Sequence, residues 1–360
     1  MKAALLRGYG EKLKVVDVEP APLIPHQVRV RMAATGVCHS DLSVQRGTVP
    51  FPVPCVLGHE GAGVVEEVGD AVTRVKRGDH VVLAWNPACR ECVWCRAGQP
   101  FLCDRGLADA LAAPYGFVDG ETVYAGMTTG TFGETTQLLE GAVVPIDADV
   151  SLEIAALVGC AVTTGVGAVI NTAEVQPGET VAVIGCGGVG LSAIQGAVVA
   201  GAARIIAVDL SAERRALAET MGATDALDAS GGGAVEAVRD LTGGIGVDHA
   251  VEVVGLSTTI RQAFDMTRRG GTCTIVGAGS TDDPVTFSAM ELMLNGRRIL
   301  GCVYGGADPD RDFHRILDLH RQGRLQLDRL VTDRIGLDDV NAAFDAMERG
   351  EGARSVVIFD

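Results

Sequence analysis

The spacing of hydrophobic and polar positions differs between two parts of the chain. Up to about residue 150, short apolar runs such as QVRVRMAA and GAGVVEEVG alternate with turns, and few stretches show helical spacing. This pattern predicts β-strands broken by turns. From about Ser151 the spacing of apolar residues changes, because SLEIAALVGCAVTTGVGAVI has the apolar spacing of a helix. We therefore expect a mostly β region followed by a region that contains helices.

Strand-like and helix-like stretches then alternate at regular intervals. In order, they are TVAVIG, a helical stretch, RIIAVDL, SAERRALAETMGA, HAVEVVG, TTIRQAFDMTRRGG and TCTIVGA. This alternation predicts a parallel, doubly wound sheet. After about Cys302 come two amphipathic helices, PDRDFHRILDLHRQGR and LDDVNAAFDAMERG, and a closing strand, SVVIFD. We expect this last part to pack back on the first, mostly β region.

Length, composition and charge fit a globular protein and disfavour several classes. The 360 residues are enough for two domains with cores of their own. A composition of 47% hydrophobic and 21% charged residues is far from that of disordered chains. The formal net charge of −16 disfavours nucleic-acid binding, because an acidic surface repels phosphates.

One uncharged segment, from Thr180 to Ala203, is long enough to span a membrane. Its ordered glycines, and the aspartate that follows it, favour instead a buried strand, a tight turn and a buried helix. The N-terminus, MKAALLRGYGEKLKVV, has too short an apolar run for a signal peptide. We expect a cytoplasmic protein without a membrane partner, in which thiols stay reduced.

The run TVAVI leads directly into the pattern G-x-G-x-x-G, which opens a predicted helix. The pattern comprises Gly185, Gly187, Gly188, Val189 and Gly190 together with one cysteine. The first glycine permits a tight turn, the second lets the backbone approach a pyrophosphate, and the third lets helix and strand pack closely. The N–H groups at the start of the helix then face the phosphates. This context predicts a dinucleotide site.

Asp209 ends the next apolar strand, RIIAVD, where a carboxylate is expected to meet the adenosine ribose hydroxyls. A carboxylate there repels the additional phosphate of NADP, so the predicted cofactor is NAD. The competing interpretation of Asp209 is a helix cap or a solvated loop acid. Arg214 is a candidate for contact with the same ribose, and Val276, after the strand TCTI, is placed among the cofactor-binding residues.

Four of the ten cysteines lie in the stretch NPACRECVWCRAGQPFLCD. Cys89, Cys92, Cys95 and Cys103 have the spacing C-x2-C-x2-C-x7-C, and reduced thiols favour metal binding over disulfides. Zn²⁺ accepts four sulfurs tetrahedrally and then has no position for a substrate, so this site is predicted to be structural. An iron–sulfur cluster also uses four cysteines, although nothing else in the sequence indicates electron transfer.

A second set of soft ligands is scattered along the chain. Cys38 lies in TGVCHSDL, His59 and Glu60 lie in LGHEGAG, and Cys160 lies in LVGCAVTTG. Two thiolates and one imidazole with an open fourth position form a catalytic zinc site of the alcohol dehydrogenase kind. Taken singly, Cys160 fits a core position and His59 a loop, so the interpretation depends on their combination.

Taken in order, GVCHSD, GHEGAGVVEEVG, the four-cysteine lobe, GCAVTTG and GCGGVG resemble the zinc-containing medium-chain alcohol dehydrogenases. Within this family, the motifs most resemble those of the class I and class III enzymes and their bacterial relatives. The resemblance implies an α/β protein with a mostly β, GroES-like catalytic domain and a NAD-binding Rossmann domain with a doubly wound parallel sheet. The catalytic domain takes residues 1–161 and 304–360, with a structural zinc lobe at 86–104, and the Rossmann domain takes 162–303.

The resemblance also implies roles for the residues at the catalytic metal. Cys38, His59 and Cys160 hold the catalytic zinc, and Glu60 is an acid that approaches the metal transiently. Asp41 orients His59, which is a common arrangement for a metal-bound imidazole.

Substrate and cofactor contacts follow from the same resemblance. Ser40 takes the alcohol proton, Trp85 lines the substrate pocket, Thr164 contacts the nicotinamide, and His39 and Arg354 contact the pyrophosphate.

The proton relay departs from the family pattern. The relay often ends at a histidine that falls on Ser43 here, and a serine cannot act as that base. Either water or His39 then completes the relay, or proton release is slower.

The implied function is reversible oxidation of a primary alcohol, with aromatic and allylic alcohols as candidates, to an aldehyde by hydride transfer to NAD. The implied cofactors are two zinc ions per chain, one catalytic and one structural, and NAD. One alternative is a formaldehyde dehydrogenase that depends on mycothiol or glutathione, for which Arg105 is a candidate anchor. A remote alternative is a non-catalytic NAD-binding protein. A homodimer or homotetramer is expected.

Overall fold

The computed structural model describes residues 1–359, whose contacts divide them into two compact units. The first unit contains Met1–Ala161, Asp308–Leu319 and the chain from Leu327 onward. The second contains Val162–Ala307 and His320–Gln326. Each unit has its own sheet or sheets and its own buried apolar core.

Strands occur throughout the chain. They are β1 (Lys2–Leu6), β2 (Lys14–Asp17), β3 (Glu19–Pro20), β4 (Gln27–Gly36), β5 (Cys55–Val56), β6 (Glu60–Val68), β7 (His80–Leu83), β8 (Pro114–Val118), β9 (Glu121–Ala125), β10 (Thr135–Leu139), β11 (Val143–Ile146), β12 (Thr180–Ile184), β13 (Arg204–Asp209), β14 (Asp225–Asp228), β15 (Val247–Glu252), β16 (Thr267–Ile275), β17 (Arg298–Gly301), β18 (Val331–Ile335) and β19 (Arg354–Ile358).

Helices occur in both units. They are α1 (His39–Gln45), α2 (Val93–Arg96), α3 (Asp104–Ala112), α4 (Leu152–Leu157), α5 (Thr163–Gly167), α6 (Gly188–Ala200), α7 (Ala212–Thr220), α8 (Ala234–Leu241), α9 (Ser257–Met266), α10 (Ala289–Asn295), α11 (Pro309–Arg321) and α12 (Val340–Glu348). Wider helical turns, Val158–Val162 and Ala168–Thr172, flank α5. Helix α3 lies in the region where the sequence pattern predicts mostly strands.

The first unit contains two sheets, with strand orders β2-β1-β5-β9-β8-β3 and β11-β7-β6-β4-β19-β18. Strand β4 is the centre of the second sheet, because it pairs antiparallel with β6, β10 and β19. Its residues Val28, Val30 and Met32 alternate with more exposed positions and lie in one apolar core. The pairing of β19 with β4 brings the C-terminal strand back to the first region, as the sequence predicted.

The second unit contains a parallel sheet with strand order β14-β13-β12-β15-β16-β17. Numbered within the unit, this is the order 3-2-1-4-5-6 of the dinucleotide-binding fold. The order reverses between β12 and β15, and ligands of such sheets bind outside the carboxyl ends of the strands at this switch point. The predicted fold class is confirmed.

The uncharged segment from Thr180 to Ala203 forms β12, a tight turn and the buried helix α6, as expected. One helical segment among residues 1–359, Leu152–Thr172, is long and apolar enough to cross a membrane. Most of this segment is buried inside the protein, which is typical of a core helix.

Candidate catalytic and cofactor sites

Two thiols, an imidazole and a carboxylate meet in a buried cluster of the first unit. One ligand atom from each of Cys38, His59, Glu60 and Cys160 lies within 4.8 Å of the others, and all four residues are buried. Cys38 directly precedes α1, His59 and Glu60 lie where β6 begins, and Cys160 lies in the wide helical turn after α4. The fold thus brings together the four residues that the sequence proposed for a single site.

Glycines leave the space for this cluster. A Cβ atom at Gly36 would lie 2.2 Å from Oε2 of Glu60, which is far inside contact distance. A Cβ atom at Gly159, beside Cys160, would lie 2.8 Å from the carbonyl oxygen of Leu83. Close packing at these two positions therefore requires residues without a side chain.

Asp41 orients the imidazole of His59. Its Oδ1 lies 3.0 Å from Nδ1 of His59 and also accepts the backbone N–H of Gly58 at 2.9 Å. Both Asp41 and His59 are fully buried. This contact leaves Nε2 as the ligand atom of His59, and no residue from 1 to 359 forms a hydrogen bond with it.

Burial and mutual contact shift the pKa values within the cluster. A hydrogen bond with Cys160 holds the pKa of Cys38 well below its ordinary value, and the same contact raises the pKa of Cys160. Burial opposes a charge on His59, but Asp41 and Cys38 outweigh it and raise the pKa of the imidazole well above its usual range. Burial raises the pKa of Glu60 to about 8.

Arg354 extends from β19 to the carboxylate of Glu60. Its Nη1 lies 3.4 Å from Glu60 Oε1 and donates to the carbonyl oxygen of Val37 at 2.7 Å. The guanidinium opposes the effect of burial on the pKa of Glu60. Within the first unit Arg354 therefore pairs with Glu60, and the assignment of Arg354 to the cofactor pyrophosphate stays a prediction.

The residues of the cluster fit a zinc ion. Thiolate sulfur and imidazole nitrogen are the ligands that zinc prefers in catalytic sites of this kind. Nε2 of His59 and Oε2 of Glu60 are buried without a hydrogen-bond partner in the described chain, and Oε1 of Glu60 has the ion pair with Arg354. Buried polar atoms of this type are costly unless they are paired or bind a metal, so a cation would satisfy them.

The four cysteines of the dense cluster form a second set of metal ligands. The sulfur atoms of Cys89, Cys92, Cys95 and Cys103 lie within 4.8 Å of one another. Backbone N–H groups of Cys89 and Gly106 each approach Cys103 Sγ to 3.3 Å, and such bonds stabilise thiolates. No cysteine within residues 1–359 forms a disulfide. Four sulfurs leave no open position on zinc, so the geometry fits the predicted structural site.

Ion pairs that the sequence did not reveal hold this lobe in place. Arg90 donates to Asp308 at 2.7 and 2.9 Å and to Asp310 at 2.6 Å. Arg105, the candidate anchor for a thiol carrier, lies 2.9 Å from Glu91 and 3.8 Å from Asp109. The contacts of Arg105 are therefore with carboxylates of the lobe and of its own helix, α3.

The residues of the predicted proton relay lie on α1. Oγ of Ser40 is 4.0 Å from Sγ of Cys38, so the hydroxyl is next to one of the proposed ligands. Ser43 donates its hydroxyl to the carbonyl oxygen of His39 at 3.1 Å.

Trp85, the predicted pocket residue, accepts a hydrogen bond from the hydroxyl of Thr128 through its carbonyl oxygen.

The glycine-rich turn of the second unit has the geometry that a dinucleotide requires. Gly185 has a φ of +93°, and a Cβ atom at Gly190 would lie 1.8 Å from the carbonyl oxygen of Gly185. Gly187 caps α6, and a Cβ atom there would meet nothing within 4 Å. The turn therefore needs its first and third glycines for conformation and packing, and its second position stays open to an approaching group.

The other predicted cofactor residues of the second unit lie around this turn. Asp209, at the end of β13, accepts the backbone N–H of Cys186 at 2.6 Å and that of Ser211 at 2.8 Å. Val276 follows β16, and Arg214 lies in the first turn of α7. Thr164 is buried in α5, the helix that packs on α6. His39 and Arg354 belong to the first unit.

Comparison with known proteins identifies the family. Residues 24–148 match the family model of the alcohol dehydrogenase GroES-like domain, and residues 188–321 match that of the zinc-binding dehydrogenase. A Schizosaccharomyces pombe protein named "Probable S-(hydroxymethyl)glutathione dehydrogenase 1" is 38% identical over 99% of this chain and 96% of its own length. The chain belongs to the zinc-containing medium-chain alcohol dehydrogenase family. This confirms the predicted enzyme class, an oxidoreductase that uses zinc and a nicotinamide cofactor.

Two further relatives show the breadth of this alcohol dehydrogenase family. The S-(hydroxymethyl)glutathione dehydrogenase of a Synechocystis species is 37% identical over 99% of both chains. The crystal structure of benzyl alcohol dehydrogenase from Acinetobacter calcoaceticus superposes with a TM-score of 0.92 at 31% identity. The match covers 100% of this chain and 99% of that one.

Proposed function

We propose that this dehydrogenase oxidises the hydroxymethyl adduct of formaldehyde and a low-molecular-weight thiol, with NAD as the hydride acceptor. The buried set of Cys38, His59 and Cys160, with His59 oriented by Asp41, carries the proposal, because it fits an open zinc site for an alcohol. The adduct is itself a primary alcohol. Relatives at 37% and 38% identity that are named for the glutathione adduct support this substrate over a simple alcohol.

The residues of this chain hold the metal and move the proton in the proposed reaction. Cys38, His59 and Cys160 would hold the zinc, which supplies a positive charge that polarises the alcohol and lowers its pKa. Asp41 keeps the Nδ1–H tautomer of His59, so that Nε2 faces the cluster. Ser40, beside Cys38, accepts the proton of the alcohol.

The outer end of the relay differs from the family pattern. The hydroxyl of Ser43 donates to the carbonyl oxygen of His39. Ser43 therefore holds the backbone of α1, and we propose that the proton leaves through His39, which is exposed, or through solvent.

The second unit would bind NAD at the Gly185 turn. The N–H groups at the start of α6 suit a pyrophosphate, because the positive end of the helix dipole lies there. The carboxylate of Asp209 lies next to the turn through its bond to Cys186 N–H and would repel the additional phosphate of NADP. Together they support NAD as the preferred cofactor.

Two features of the described chain support a homo-oligomer and a cytoplasmic location. Met290, Met293 and Leu294 are exposed on α10, the helix that precedes the edge strand β17, which is an arrangement suited to a second copy of the chain. The absence of disulfides among the ten cysteines of residues 1–359 fits a reducing compartment. Light scattering of the purified enzyme distinguishes the expected homodimer or homotetramer from a monomer.

The substrate is tested by NADH formation from formaldehyde with and without glutathione or mycothiol. We expect turnover of formaldehyde to require one of the thiols. Rapid turnover of benzyl alcohol, together with no effect of thiol, would instead favour a simple alcohol dehydrogenase. The similarity to the benzyl alcohol dehydrogenase supports this second candidate.

A further inference from the structure

A buried carboxylate at the carboxyl edge of the parallel sheet has no part in the steps above. Glu252, the last residue of β15, is fully buried. Its Oε1 accepts three hydrogen bonds, from Val254 N–H at 2.8 Å, Gly255 N–H at 2.8 Å and Thr259 Oγ1 at 2.7 Å. Its Oε2 is also buried and has no hydrogen-bond partner within residues 1–359. Such a group is costly to keep unless it has a role that an apolar residue cannot fill.

The loop held by the side chain of Glu252 covers the dinucleotide turn. A Cβ atom at Gly185 would lie 2.8 Å from Cγ2 of Val254 and 3.0 Å from Cγ2 of Val253. The same methyl group of Val253 would lie 3.4 Å from a Cβ atom at Gly190. The residues directly after Glu252 are thus in contact with both glycines that shape the turn.

The main chain of Glu252 holds a second loop. Its carbonyl oxygen accepts the N–H groups of Val276 at 2.8 Å and Gly277 at 3.1 Å. This second loop packs on the first, because a Cβ atom at Gly277 would lie 2.1 Å from the backbone nitrogen of Gly255. Gly255 itself has a φ of +87°, a conformation that L-residues rarely adopt. Glu252 therefore holds the loop after β15 and the loop after β16, and the first of these loops packs on the dinucleotide turn.

We propose that Glu252 is a positioning residue that fixes the cofactor-binding edge of the sheet for NAD. The inference rests on the proposed binding of NAD at the Gly185 turn. Loops that follow the strands at the carboxyl edge form the walls of a dinucleotide site. Loss of the Oε1 acceptor leaves three donors without a partner and frees the first loop to move off the turn. Cofactor affinity falls, and the zinc ligands of the first unit are not affected.

Asp248 offers a matched control, because it lies on the same strand at the opposite edge of the sheet. Its carboxylate also accepts three hydrogen bonds, from Thr180 N–H at 2.8 Å, Thr180 Oγ1 at 2.7 Å and Arg268 Nε at 2.6 Å. Truncation of Asp248 therefore removes a comparable set of bonds far from the turn. An equal loss of stability without loss of cofactor affinity is expected for Asp248→Ala.

The test is fluorescence titration of the full-length, zinc-loaded enzyme with NADH, together with thermal unfolding and the KM for NAD. Glu252→Ala is expected to raise the NADH Kd and the KM for NAD about tenfold. Glu252→Gln keeps the Oε1 acceptor and should stay within about threefold of wild type. If Glu252→Ala does not fold, Thr259→Val, which removes one donor, is expected to raise the Kd about threefold.

The outcomes separate this inference from the proposed function. A wild-type enzyme that does not bind NADH overturns both. Normal binding by the wild type, together with an unchanged Kd in Glu252→Ala or Thr259→Val, overturns the role of Glu252 alone. An equal rise in Kd for Asp248→Ala also overturns it, because the effect would then follow from general loss of stability.

Discussion

Nδ1 of His59 lies 3.0 Å from Oδ1 of Asp41, and both side chains are fully buried. The same carboxylate oxygen accepts the N–H of Gly58, which fixes the carboxylate relative to the backbone of the metal ligand. The pair determines which ring nitrogen of His59 faces Cys38 and Cys160. The orientation of one ligand thus depends on a residue that does not touch the metal.

Replacement of Asp41 by Asn should weaken the catalytic zinc site. The carboxamide accepts at one atom only and carries no charge, so it supports His59 less well as a metal ligand. We expect zinc affinity at this site to fall about 10- to 100-fold, measured by competition with a chelator. The four-cysteine site should keep its zinc in the same titration, and equal loss from both sites would contradict the assignment.

Replacement of Gly36 by Ala should disturb the cluster by steric contact alone. The new methyl group would lie 2.2 Å from Glu60 Oε2, so Glu60 or β4 must move. We expect a loss of kcat of at least about tenfold and destabilisation of about 1–3 kcal/mol. Gly231→Ala is the control, since a Cβ atom there meets nothing within 4 Å. Similar rates for both variants would show that the space at Gly36 is not needed.

Replacement of Asp209 by Gly should shift cofactor preference toward NADP. The change removes the negative charge that would face the additional phosphate, although it also removes acceptors for Cys186 and Ser211. We expect the ratio of kcat/KM for NADP to that for NAD to rise about tenfold or more. Asp228 pairs with Asp209 across β13 and β14, so Asp228→Gly is a control of equal charge. An unchanged ratio in Asp209→Gly would count against the ribose role.

The carboxylate of Asp248 should make stability depend on pH. Burial opposes its charge, but the hydroxyl and N–H of Thr180 and the guanidinium of Arg268 outweigh burial and lower the pKa below the ordinary value. A lowered pKa in the folded state stabilises the protein above the unfolded pKa, and this contribution is lost as pH falls through the folded value. Urea unfolding of wild type and Asp248→Asn should therefore differ most near neutral pH and converge below about pH 4. A difference that is constant with pH would exclude this origin.

Patterns along the chain predicted the fold well because they report local periodicity. The alternation from β12 to β16 and the spacing of Gly185 and Gly190 indicated the parallel sheet and its turn before any geometry was known. Helix α3 was not expected, since the surrounding region has the pattern of strands. The sequence also predicted the two sets of metal ligands, because four clustered cysteines and a scattered Cys/His/Cys set have distinct chemistry.

Contacts between residues far apart in sequence were not predictable in the same way. The pairing of Arg354 with Glu60 depends on the register of β19 on β4, which no local pattern encodes. The space that Gly36 leaves for Glu60 depends on the same packing. In the sequence, Glu252 is noticeable as a single charge within the apolar run HAVEVVG, but only the structure shows the loops that it holds.

The central claim is that catalysis belongs to the scattered cluster and that the dense four-cysteine lobe is structural. Zinc content and NADH formation, measured together on wild type, Cys160→Ala and Cys92→Ala, test it most directly. We expect two zinc ions per chain in the wild type, as the two ligand sets imply. Cys160→Ala should keep the fold and the lobe zinc but form no NADH, whereas Cys92→Ala should lose thermal stability first and activity only as a consequence. Turnover at the wild-type rate by Cys160→Ala would contradict the account.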